Sequence, residues 1–275
     1  MRRLLVSCLI FARRILSACL VLARPLLAFL LIAALLLPEW AFAAAAHRSD
    51  SATTYGSRTN TTCTAPAGIQ NGDVLLLVFD VAAATNAPSP TAPSGFAAVA
   101  GTWPIDLRDL GFNVDVYVWY KVASGESGNY TVTHSAASSQ CYIKAVSGGS
   151  SSQPASTTNS NTEGSTTTAL SITPSGNDAL VMFVSSDWGD TANALSPPSG
   201  TTPTFTERLD PGTTSGILYV ADGVLGTAGA TGDKSITNNN NAGGPLSPWA
   251  GVLVVVEASG GAAPDVSQFR KRVVQ

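Results

Sequence analysis

The sequence predicts an all-β protein, an antiparallel β-sandwich of jelly-roll or concanavalin-like form built from two similar half-units, and three observations predict it. Charged residues make up only 12% of the 275-residue chain, too few to wet the outer faces of long amphipathic helices. Short apolar runs recur, each bounded by Gly, Asn, Asp or Pro, as strands and turns require. Landmarks of the first half then reappear in the second at a preserved spacing.

The chain opens differently from the way it continues. Arg2, Arg3, Arg13, Arg14 and Arg24 form a basic leader, followed by the uncharged run Leu26 to Leu37, Pro38, and Ala41-Phe42-Ala43. This order of basic region, apolar region and small-x-small site predicts a signal peptide over residues 1–43, cleaved near Ala43. The apolar run is shorter than the roughly 20 residues that a membrane-spanning helix needs, so no span is expected in the mature chain. Competing readings are a retained anchor and a lipoprotein, the latter because Leu16-Ser17-Ala18-Cys19 resembles a lipobox. Export predicts a secreted or surface location.

Residues 44–52 carry no apolar pattern and are expected to be a flexible lead-in. From Thr53 strand signals dominate. Val74 to Phe79, Ala179 to Val184 and Val252 to Val256 are nearly continuous apolar runs, which predicts strands covered on both faces. Val114, Val116, Val118, Tyr120 and Val122 alternate with Asp115, Tyr117, Trp119 and Lys121, which predicts a half-buried antiparallel strand.

Asn71-Gly72-Asp73 before Val74 matches Gly176-Asn177-Asp178 before Ala179, and Pro93-Ser94-Gly95 precedes Pro198-Ser199-Gly200 by the same 105 residues. The half-units are placed at about 53–150 and 165–260. One sandwich and two tandem domains both accommodate them, and one sandwich is preferred because Thr166 to Ile172 resumes a strand pattern without a clean break. Residues 261–275 read as a frayed tail.

The order Gly72-Asp73 plus apolar strand, Pro93-Ser94-Gly95-Phe96, Val118-Trp119-Tyr120-Lys121-Val122-Ala123 and Ala145-Val146-Ser147-Gly148 resembles a group of bacterial and phage-associated extracellular β-sandwich proteins. The resemblance covers most of residues 53–260. It implies surface attachment or glycan contact, not chemistry. The position that often carries Trp after Pro-Ser-Gly in that group is Phe96 in this chain.

Removing the leader takes five of the 15 Lys and Arg and one of the 18 Asp and Glu, leaving a mature net charge of −7 by formal count. That sign excludes nucleic acid as an expected partner. Of the four cysteines, Cys8 and Cys19 leave with the leader, and Cys63 with Cys141 predicts one disulfide in an oxidising compartment. No catalytic constellation is expected. His47 and His134 are the only histidines, and His134 reads as sheet packing. None of Glu126, Glu163, Glu207 and Glu257 has an acidic neighbour two or four residues away, as paired glycosidase carboxylates on one strand would.

Aromatic residues beside turn formers carry the remaining signal. Trp188, between Asp187 and Gly189-Asp190, is the first choice for ligand contact: an indole face for stacking and carboxylates for hydroxyls or a calcium ion. Trp103 is the second. Asp187, Asp190 and Asn238 to Asn241 are the oxygen donors for calcium, although Asp and Asn also simply favour turns. The expected function is a secreted or surface-located binding or adhesion module for glycans or another cell-surface component. The alternatives are a structural subunit that self-associates through β-edges and, third, a glycoside hydrolase.

Overall fold

The computed structural model describes residues 43–83, 88–109, 112–161, 166–187, 195–200, 202–210, 217–237 and 249–260. Residues 1–42 and 261–275, where the leader and the tail are expected, lie outside them. Every regular element is a strand: β1 (Ala46–Ala52), β2 (Gly56–Cys63), β3 (Val74–Ala83), β4 (Ala97–Ala98), β5 (Ile105–Asp109), β6 (Phe112–Val122), β7 (Tyr130–Ser147), β8 (Ala155–Asn161), β9 (Thr166–Ala169), β10 (Ala179–Asp187), β11 (Thr206–Leu209), β12 (Ile217–Leu225), β13 (Lys234–Thr237) and β14 (Trp249–Val256). Among the described residues no helix is long and apolar enough to cross a membrane.

Among the described residues all strand pairings are antiparallel. One sheet runs β1-β7-β3-β6-β4, with β2 also on β7 and β5 also on β6, and a second runs β11-β12-β10-β14-β8. A two-stranded sheet pairs β9 with β13. Each large sheet comes from one stretch of chain, and the chain changes sheets between β7 and β8. A jelly roll distributes its two Greek keys over both sheets, so that form of the sandwich gives way to one in which sheet and chain half coincide.

The apolar runs at the centres of the sheets fill three layers. Val74, Leu76 and Val78 of β3 face Leu180, Met182 and Val184 of β10 and Val252, Val254 and Val256 of β14 across the shared inter-sheet core. The alternate residues Leu75, Leu77 and Phe79 enter a second cluster with Tyr117, Trp119, Val132 and Ile143 on the outer face of the first sheet. Val181, Phe183, Tyr219 and Leu253 enter a third, covered by Ala169 and Ile236 of the small sheet. A strand with apolar clusters on both faces has no wet side, which is why these runs do not alternate.

Two expectations need correction. β6 is not half-buried: Asp115, Tyr117 and Trp119 on its outer face are buried too, because Phe79 and Trp119 stack at 5.9 Å under the cover of the same sheet's own chain. The lead-in at 44–52 is not loose, since Ala46–Ala52 is the edge strand β1, hydrogen-bonded along β7. The Ser/Thr/Asn-rich segment before residue 165 holds β8, the opposite edge of the second sheet, paired residue for residue with β14.

Gly251 is what lets the small sheet lie close. A Cβ there would stand 2.7 Å from the Thr168 carbonyl, so only a residue without one allows β9 to cross β14. The link Cys63–Cys141 is formed, joining the end of β2 to the middle of β7 across a sequence separation of 78.

Candidate functional site

Strand direction decides where the connections go. Ser186, next to the end of β10, donates a hydrogen bond to Oδ2 of Asp80 near the end of β3 at 2.6 Å. At the other end of the same strands the Ala45 N–H donates to the Asp178 carbonyl at 2.9 Å. β3 and β10 therefore run the same way across the core, and both leave it at one end.

Pairing brings other strand ends there as well. Ala83 lies opposite Asn113 at the start of β6, Asp187 opposite Ile217 at the start of β12 and opposite Trp249 at the start of β14, and Trp249 opposite Asn161 at the end of β8. Six connections thus depart from one end of the sandwich: those after β3, β5, β8, β10, β11 and β13. Asp187 is the last residue of β10, at the root of one of them. Trp188, Asp190 and Asn238 to Asn241 lie outside the described residues, in the connections after β10 and β13. These two connections are rooted side by side, because Asp187 and Trp249 are register partners. Among the described residues no group of three or more His, Cys, Asp or Glu is placed to hold a metal.

Trp103 lies elsewhere. Its indole is half-buried against the inter-sheet core, and its Nε1–H donates to the Val99 carbonyl at 3.0 Å. The ring caps the edge where Val99, Ile105 and Leu107 close the core. The hydrogen bond takes up the polar tip of the indole.

Toward the opposite end, between β1, β7, β11 and β12, lies a polar cluster with no counterpart in the sequence reading. Lys144 of β7 has no exposed surface and Asp222 of β12 is 2% exposed. Both point into the space between the sheets, and Lys144 Nζ lies in direct contact with Asp222 Oδ2. Arg208 Nε donates to the other carboxylate oxygen, Oδ1, at 2.9 Å. Nζ also donates to Nδ1 of His47 at 2.8 Å, and Tyr142 Oη donates to Asp50 at 3.1 Å.

Two bulges assemble this group. In a regular strand residues three apart face opposite sides, yet His47 pairs with Val146 and Asp50 with Lys144, both inward-facing positions. The extra residue, Arg48, restores the phase and turns its guanidinium to Asp73 at 2.6 Å. In β11 the shift between Glu207 and Leu209 leaves Arg208 as the extra residue, free to reach Asp222.

Electrostatics follows from burial. Burial, and next the Arg208 charge, push the Lys144 amine down to about 7, with Asp50 pulling the other way. Burial, then the charges of Lys144 and Arg208, push the His47 imidazole down to about 4, against Asp50. Both groups are thereby biased toward their neutral forms, one as an amine and the other as a hydrogen-bond acceptor.

His134 is buried on the outer face of the first sheet, its ring 5.5 Å from that of Phe79. Nδ1 lies 2.7 Å from the Ser135 carbonyl, which only accepts, so Nδ1 carries the proton. Nε2 then accepts from the Thr61 hydroxyl at 2.8 Å. Nε2 thereby ties β7 to β2, while Nδ1 is spent on the backbone of β7 itself.

Compared with protein-family models, with curated proteins and with solved structures, the chain matches none.

Proposed function

We propose that the protein is an exported module that binds glycans, or another glycan-bearing cell-surface component, through the end of the sandwich from which six connections depart. The convergence of those connections carries the reading. A rigid two-sheet frame with several polar connections on one rim is how sandwich folds present binding surfaces. The connections after β10 and β13 are rooted on paired strands at that rim; Asp187 ends β10 there, and the sequences of the two connections hold Trp188, Asp190 and Asn238 to Asn241. An indole beside carboxylates and amides suits a sugar, with stacking for its apolar face and acceptors for its hydroxyls, or a calcium ion between protein and sugar.

The edges favour this reading over self-assembly through β-strand addition. β4 has two residues, β1 and β11 are bulged, and β8 is polar but for Ala155; short, bulged and polar edges blunt pairing with a second chain. A glycan array probed with the exported protein, its amino terminus sequenced at the same time, tests the proposal. Retention on a defined set of glycans by a monomer beginning near Ala44 supports it. Concentration-dependent fibres with no glycan retained would contradict it.

A further inference from the structure

We propose that Lys144 and Asp222 are joined by an intramolecular isopeptide bond, Nζ to Cγ, which forms once the sandwich has folded and ties its two sheets together. The two residues come from strands of different sheets, 78 positions apart in the chain, and meet where neither has access to water. Nζ lies against Oδ2, a buried oxygen that takes no other donor. The groups around them are those that an acyl condensation uses. A buried ion pair loses the hydration of both charges, and one proton passed from Nζ to Oδ2 converts it into a neutral amine beside a neutral carboxylic acid.

The amine nitrogen then attacks Cγ and forms the N–C bond. Negative charge that develops on Oδ1 is met by Arg208 Nε–H, already 2.9 Å away, in the role of an oxyanion donor. His47 Nδ1, 2.8 Å from Nζ, takes a proton from the attacking nitrogen and returns it to Oδ2 as the Cγ–Oδ2 bond breaks. Amine and acid give amide and one water, with no oxidant, reductant or cofactor. Two things drive the reaction forward: the folded frame holds the partners together, so that no entropy of encounter remains to be lost, and the amide removes two charges from the core. His47 and Arg208 are each partly exposed, which gives the released water a way out.

Peptide mapping of the folded full-length protein after reduction of its disulfide tests this directly. A lysine in amide linkage is not a trypsin site, so we expect no cleavage after Lys144. Fragment 122–208 should be joined to fragment 209–234, the pair lighter than their sum by one water. In Asp222→Ala the cut after Lys144 should return and the fragments should separate. Free fragments of full mass from the parent protein would overturn the proposal, and so would a link that persists in Asp222→Ala. Because the first result is read on the parent protein, a variant that fails to fold leaves the test intact.

Discussion

Asp80 shows how a single buried carboxyl governs the pH response of the fold. It sits on the inter-sheet face of β3 with no exposed surface. Burial lifts it from 3.8 to about 6, the Ser186 hydrogen bond opposing and the Asp115 charge adding. Between those two values the folded protein holds a proton that the unfolded chain releases. On this group's account stability is therefore full at acid pH and is lost as pH rises through about 6, by on the order of 3 kcal/mol. Asp80→Asn keeps an acceptor for Ser186 and removes the charge. We expect the variant to gain stability at about pH 7 and to change little at about pH 4, by urea unfolding at both. Equal effects at the two values would contradict the assignment.

Little of this was legible in the sequence. The Cys63–Cys141 link was, because once Cys8 and Cys19 are assigned to the expected leader one pairing is left. Asp80, Lys144 and Asp222 were not, because a polar residue at an alternate strand position reads as facing water. Nothing local to Gln140-Cys141-Tyr142-Ile143-Lys144 reveals that Asp222 supplies its counter-charge from another sheet.

Among the elements, the long apolar strands were the most legible, and the polar edges the least. β3, β10 and β14 are apolar on both faces because the core lies on one side and their own half's cover on the other, so hydrophobicity alone marks them. β1 and β8 have almost no apolar residues; backbone pairing with β7 and β14 makes them strands, and pairing leaves no trace in composition. A bulge is equally silent. The bulge in β1 makes an unusual prediction, because removing Arg48 would leave His47, Ser49 and Asp50 in unbroken register with Val146, Ala145 and Lys144. Deleting Arg48 should then cost no more than Arg48→Ala to within about 1 kcal/mol, each losing the ion pair to Asp73. A melting curve showing the deletion to be far worse would mean that the bulge itself shapes the strand.

For the whole molecule, the two halves of the chain each make one sheet, and three kinds of contact hold the sheets and their covers in place: the shared apolar core, the disulfide within the first half, and the Lys144–Asp222 contact between halves. By the chain-entropy account a closed loop of 78 residues stabilises the fold by about 4 kcal/mol. The paired change Cys63→Ser and Cys141→Ser should lose about that much in denaturant unfolding, with the fold retained. No loss would show that the unfolded chain gains nothing from the freed ends.

The end that carries the six connections is where fold and proposed function meet. Retention of the protein on the glycans that the array identifies, set against Trp188→Ala, is the most direct test. We expect the parent to be retained and the variant to pass through, both melting at the same temperature. A variant retained as well as its parent, but melting several degrees lower, would make Trp188 a packing cap and contradict the placement of the binding surface.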